Sequence, residues 1–143
     1  MTGAAPLFSW PVRVYYENTD AGGVVYHSNY VTFMERARTE FLRSLGVELG
    51  ALERDARVLF AVRSMAIDFR RPARLDDLLD VTVAIKESRP ASLTFLQSIR
   101  RGEDVLCDGE VRVASISADF FKPVAIPLEL VELLGLVLAK KLP

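Results

Sequence analysis

The period of apolar and polar positions changes several times along the chain, and each change marks an element. In "WPVRVYY" (10–16) Val12 and Val14 alternate with their neighbours, which predicts a strand. Pro11 falls near its start, where a missing N–H costs least. "ENTDAGG" (17–23) breaks the alternation, because Asn, Asp and paired Gly favour turns and positive φ. From Ser28 to Leu45 the spacing turns helical: Tyr30, Val31, Phe33, Met34, Ala37, Phe41, Leu42 and Leu45 form a broad stripe. Glu35, Arg36, Arg38, Glu40 and Arg43 occupy much of the remaining surface. Ser28 or Asn29 is expected to cap the start of this helix and Gly46 to end it. A short second helix fits 47–55.

Alternation then dominates. Val58, Phe60 and Val62 share one parity, whereas Met65, Ile67 and Phe69 take the other, so a strand over 57–70 is expected to change face near Ser64 through a bulge or a bend. Val81, Val83 and Ile85, then Leu93, Phe95 and Ile99, then 105–120 supply three more strands, separated at "SRPAS" and "RRGED". The apolar segment "LELVELLGLVLA" (128–139) carries two glutamates and falls short of the roughly 20 residues a membrane span needs. It reads as a closing helix on the core. A strand, a long helix and four successive strands predict an α+β domain, an antiparallel sheet on one long helix, occupying 1–143 as a single unit.

Composition narrows the function. Half of the 143 residues are apolar and 26% charged, as in an ordinary folded domain. Eighteen Lys and Arg face nineteen Asp and Glu, so the net charge of -1 offers no general attraction to nucleic acid or an anionic membrane. Any anion must be recognised locally. Cys107 is the only cysteine, which excludes an internal disulfide and a multi-cysteine metal site and fits a reducing cytoplasm. "MTGAAPLFSW" lacks a basic start and an apolar run, so it does not read as a secretion signal. There is no P-loop or G-x-G-x-x-G element, and no G-x-S-x-G elbow for a serine hydrolase.

Candidate chemistry concentrates in "YYENTDAGGVVYHSNYVTF" (15–33). Asp20 lies between the predicted strand and helix, and Gly22 and Gly23 let the backbone approach a ligand closely. The first N–H groups of a helix have no internal acceptor and carry the positive end of its dipole. Those around His27 to Tyr30 can therefore polarise a carbonyl oxygen, while Asp20 attacks the carbon or activates water. The same residues also fit a plain turn and cap. His27 alone makes a poor metal centre, and Cys107 has no neighbouring group to activate it.

The stretch "YYENTDAGGVVYHSNYVTFMERART" (15–39) closely resembles the signature of hotdog-fold acyl-CoA thioesterases of the 4-hydroxybenzoyl-CoA thioesterase type, most closely the Tol-Pal-associated subgroup. The likeness continues through "RRPARLDDLL" (70–79), "ESRPASLTFLQ" (87–97) and "FFKPVAIP" (120–127), and so covers nearly the whole chain. It implies the hotdog fold, a curved five-stranded antiparallel sheet wrapped around one long helix. It implies hydrolysis of acyl-CoA, with short to medium acyl groups, by Asp20 as nucleophile or general base. His27 corresponds to the residue at the helix start whose N–H polarises the thioester carbonyl. One departure is Asn18, where many relatives carry an acid.

Gly23, Tyr16 and Tyr26 are expected beside the acyl group, although either tyrosine also fits the core. Because coenzyme A carries phosphates, cations should rim the entrance. Arg89 and Lys122 are the leading candidates, with Arg70, Arg71 and Arg112 behind them. No cofactor is expected beyond the coenzyme A of the substrate. A non-catalytic module that binds acyl-CoA or acyl carrier protein is the alternative, and a dehydratase on the same fold a third reading. Two sheet edges with unpaired backbone groups point to a homodimer or homotetramer, in which the 57–70 strand of one copy meets the "TDAGG" helix start of the other.

Overall fold

The computed structural model describes residues 5–141. Strand β1 (Phe8–Arg13) leads through a 3-10 turn (Tyr16–Asn18) to helix α1 (His27–Ser44) and the short helix α2 (Leu49–Ala56). Strands β2 (Val58–Phe69), β3 (Leu78–Arg89), β4 (Ser92–Arg101) and β5 (Asp104–Ser117) follow, and helix α3 (Leu128–Lys141) closes the chain. The strands form one antiparallel sheet in the order β1-β3-β4-β5-β2, so β1 and β2 are its edges. This is the expected hotdog arrangement, with α1 packed on one face of the sheet.

Alternation decides that face. Val81 lies opposite Ile99, Ile85 opposite Phe95, Phe95 opposite Val111 and Leu93 opposite Val113, and all are buried. Tyr30, Phe33, Met34, Ala37, Phe41 and Leu42 of α1 cover them. At about 1.5–3 kcal/mol per fully buried large side chain, Phe33, Met34 and Phe41 alone outweigh what helix propensity supplies to α1. Gly109 makes the closest approach possible: a Cβ there would lie 3.4 Å from Met34 Cε and 3.2 Å from the Ala66 carbonyl oxygen. At the far end Gly46 adopts φ +87°, letting the Val47 N–H donate to the Leu42 carbonyl and stop the helix, as its position predicts.

The register of β2 on β5 shifts between Val62 and Ser64, where the parity change predicts it. Val62 and Met65, on either side of the shift, lie opposite the buried Val113 and Val111 and so share the helix-facing side. Three expectations need correction. The first strand ends at Arg13, because Val14 exchanges backbone hydrogen bonds with Asp76 and Asp77 in place of the β3 ladder. Helix α1 begins at His27, with Tyr26 in the capping position, so Ser28 and Asn29 lie inside it and neither caps it. Arg38, expected on the polar side, is buried. Its spacing explains this: it stands four residues after Met34 and four before Leu42, on the apolar stripe itself. In α3, Leu130 and Leu134 reach the core, as expected for a closing helix, while Leu128, Val131 and Leu136 stay exposed.

Candidate active site

Asp20 occupies a turn that its own backbone closes. Its N–H donates to the Val24 carbonyl (2.9 Å) and its carbonyl accepts from the Gly23 N–H (3.0 Å). Its Oδ1 accepts from the Gly22 N–H at 2.8 Å, which leaves Oδ2 without a protein partner among the described residues. Gly23 has φ +79°, a conformation that costs a residue with a Cβ about 1 kcal/mol or more. The turn is clamped on both sides. The Tyr26 N–H donates to the Asn18 carbonyl, and the Val25 N–H donates to the Ala73 carbonyl, both at 2.9 Å.

Two side chains fix this clamp to α1. The Asn18 Oδ1 accepts from the Tyr15 N–H (2.8 Å), and its Nδ2 donates to Asn29 Oδ1 (3.0 Å). The Tyr30 hydroxyl accepts from the Ala73 N–H at 2.9 Å. Burial raises the Tyr30 pKa, with the Ala73 bond working the other way, so this phenol stays neutral. Behind Ala73, the Asp77 Oδ2 accepts from the Arg74 N–H and from Arg101, both at 2.8 Å. Burial alone would raise the Asp77 pKa, but these bonds and the two arginine charges together hold it below its usual value.

Among the described residues no side chain caps α1. The Asn29 N–H donates to the Tyr26 carbonyl at 2.9 Å, whereas the N–H groups of His27 and Ser28 have no acceptor among the described residues. They form a ready site for partial negative charge. Beside them the Tyr26 ring lies 4.4 Å from the His27 ring, and Phe69 lies 6.4 Å from His27 and 5.5 Å from Tyr30. The arrangement offers an acyl carbonyl a carboxylate, free N–H donors and an apolar wall. Among the described residues no group of His, Cys, Asp or Glu is clustered to hold a metal, and no helix is long and apolar enough to cross a membrane.

The structure brings Asp20, Gly23, Tyr26 and His27 into one short segment. Tyr16 stands on the neighbouring 3-10 turn and is 80% exposed, and Tyr26 is also exposed, so neither belongs to the core. Arg70 and Arg71 follow Phe69 and pair with Asp108 (2.9 Å) and Asp104 (3.4 Å). Arg89 and Lys122 lie elsewhere. Arg89 pairs with Glu87 (2.6 Å) at the end of β3, and the Lys122 carbonyl accepts from Ser117, which is opposite Val58. His27 instead adjoins Phe69, at the other end of β2 and roughly 35 Å away at 3.3 Å per residue. Arg112 projects with Lys86 and Glu110 on the side away from α1. Cys107 is buried, and its thiol pKa is pushed up to about 12 by that burial, aided by Asp108 and Asp68, so it is no nucleophile.

A second feature was not foreseen. Between α1, α2 and the helix-facing side of β2, β4 and β5 lies a cavity of about 340 Å³, lined by Glu35, Arg38, Thr39, Leu42, Phe60 and Phe95 among others. Arg38 is 7% exposed and donates to Gln97 Oε1 (3.0 Å), while Gln97 Nε2 donates to the Met34 carbonyl (3.0 Å). Burial lowers its pKa and Glu35 opposes that, and a guanidinium stays charged through such shifts.

The carboxylate turn at Asp20 and the uncapped start of α1 lie a few residues apart on a hotdog sheet, the fold of the thioesterase class. The chain belongs to the thioesterase superfamily, whose profile matches residues 22–108. It is 49% identical over 126 residues to the acyl-CoA thioester hydrolase YbgC of Escherichia coli O6:H1, covering 87% of this chain and 93% of that protein. It is 47% identical over 122 residues to the acyl-CoA thioesterase YbgC of Haemophilus influenzae, covering 85% and 90%. Among solved structures, a probable thioesterase from Bartonella henselae superposes with a TM-score of 0.80 at 38% identity, over 83% of this chain and 98% of that one.

Proposed function

We propose that the chain, as a single domain over 1–143, hydrolyses acyl-CoA thioesters with short to medium acyl groups, in the cytoplasm and with no cofactor beyond the coenzyme A of the substrate. The observation that carries this reading is the pair of free N–H groups at His27 and Ser28, close in the chain to a carboxylate held by one oxygen only. The thioester oxygen sits on the His27 N–H, where charge developing in the transition state meets the helix dipole. Asp20 Oδ2 either attacks the carbonyl carbon or takes a proton from the attacking water; in both cases the carbon–sulfur bond breaks and the coenzyme A thiolate leaves. The Tyr26 and Phe69 rings exclude water from one side, and Tyr16 and Gly23 border the approach.

The working unit in this reading is a homodimer joined along β2, further paired into a tetramer. Edge β1 is six residues long and interrupted by Pro11, whereas β2 runs for twelve residues without proline. Val62, Met65 and Phe69 on its helix-facing side are exposed, which favours a further chain against them. Antiparallel two-fold pairing of β2 sets the Phe69 end of one copy beside the Val58 end of the other. The neighbourhood of Arg89 and Lys122 then adjoins the partner's helix start, where they can hold coenzyme A phosphates. Acyl carrier protein thioesters present the same reacting group and are a second substrate form to test.

Free thiol released from a panel of acyl-CoAs tests the reading. Release that saturates with substrate supports it. Binding without release would indicate a non-catalytic acyl-CoA module instead.

A further inference from the structure

We propose that the Arg38 cavity receives the acyl group and selects acyl groups that carry a hydrogen-bond-accepting oxygen remote from the thioester. This rests on the hydrolase reading above and adds a substrate class to it. The cavity's walls come from Leu42, Leu49, Phe60, Leu93, Phe95 and Val113, all apolar, and about 340 Å³ suits roughly ten non-hydrogen atoms at about 30 Å³ each. That is the size of a medium acyl group.

Glu35, Arg38 and Thr39 are the polar members of this lining, and of the three only Arg38 is buried. A guanidinium has five N–H donors, and a single hydrogen bond, to Gln97, uses one of them. No carboxylate among the described residues pairs with it, and Glu35 one turn earlier makes no ion pair. The buried side-chain atoms without partners belong to Asp108 and Ser115, not to Arg38, so its remaining donors reach the cavity. Gln97, itself held by the Met34 carbonyl, fixes the plane of the fork. A hydrocarbon chain entering the cavity strips water from these donors and returns nothing, whereas an oxygen on the acyl group replaces that water.

Position in the fold explains how the cavity serves the reaction. Arg38 lies eleven residues beyond His27, about 16 Å along α1 at 1.5 Å per residue. Phe60 and Val62 line the cavity toward the end of β2 that two-fold pairing would set against the partner's helix start. An acyl chain whose carbonyl rests on one copy's helix start thus extends into the other copy's cavity.

The test compares kcat/KM for thiol release from butanoyl- to octanoyl-CoA with their ω-hydroxy counterparts, in the wild type and in Arg38→Met. The wild type should favour at least one hydroxylated member by about tenfold or more, and Arg38→Met should bring that ratio close to one. Absence of any such preference, or its survival in Arg38→Met, would overturn the inference. Should Arg38→Met fail to fold, Phe60→Trp fills the cavity while leaving the Arg38–Gln97 bond in place. It should shorten the longest acyl chain accepted, and an unchanged chain-length profile would equally overturn the inference. No thiol release from any acyl-CoA by the wild type would reject the hydrolase reading itself, a result distinct from both.

Discussion

The two halves of α1 are built on different principles. At its start, conformation comes from the backbone: a carboxylate closing its own turn, a glycine at positive φ, and N–H groups left without acceptors. Eleven residues further on, everything depends on side chains brought from distant strands, with Arg38 held by Gln97 and walled by Phe60, Leu93 and Phe95. Local backbone geometry suits chemistry that needs fixed dipoles at one atom. A pocket assembled from five elements suits recognition, where volume and a buried donor discriminate between ligands. In the β2-paired dimer proposed above, the first half would come from one chain and the second from the other.

The largest expected effect lies at the start. Asp20→Asn keeps the shape and the Gly22 bond but removes the charge, so thioester turnover should fall by about 10²- to 10⁴-fold in steady-state thiol release. Next comes the clamp. Asn18→Ala removes both the Tyr15 and Asn29 bonds and should lower kcat by about tenfold, with KM changed less. Asn18→Asp keeps the acceptor for Tyr15, and a flipped Asn29 amide can donate to it, so kcat should recover most of the loss.

These effects separate the legible part of the sequence from the hidden part. The fold was readable because alternation in β3, β4 and β5 and the stripe on α1 each obey one period, and even the β2 bulge showed as a parity switch at Ser64. The turn at Asp20 and Gly23 and the helix start beside it were readable because turn and helix signals are local. The Asn18–Asn29 clamp and the Tyr30–Ala73 bond were not, since they join residues 11 and 43 positions apart. Arg38 sat on the apolar stripe between Met34 and Leu42 in plain sight, but a charged residue there was read as solvated. Arg89 and Lys122 fit the sequence pattern of a cationic rim, yet within one chain they lie far from His27, because nothing local in the sequence ties the end of β3 or the segment after β5 to the start of α1.

Smaller effects probe the supports. Gly23→Ala forces a Cβ into φ +79° and should cost about 1 kcal/mol, a drop of about 3–6 °C in melting temperature for a chain of this size. The Asp77 pKa is lowered on folding, so the stability it gives is full above its unfolded value and is lost as pH falls through the folded one. Melting temperature recorded from about pH 5 to pH 2 should therefore fall less steeply in Asp77→Asn than in the wild type. For Cys107 the sign is opposite: its pKa rises from 9.0 to about 12, so its contribution is full below 9.0 and lost toward pH 12. A thiol reagent at pH 8 should leave the native protein unmodified and label it at once on unfolding.

Subunit mixing tests most directly whether the two halves of α1 act across the dimer. Asp20→Asn homodimers lack the carboxylate in both sites, and Phe60→Trp homodimers have blocked cavities in both, so each alone should turn over a medium-chain acyl-CoA poorly. In a mixed dimer, the Phe60→Trp chain offers its intact Asp20 to the open cavity of the Asp20→Asn chain. Activity should then return to about a quarter of the wild-type level in a statistical one-to-one mixture, half of the dimers being mixed with one working site each. If each cavity served its own Asp20, no mixed dimer would hold a complete site, and a mixture no more active than its two components would contradict the shared site.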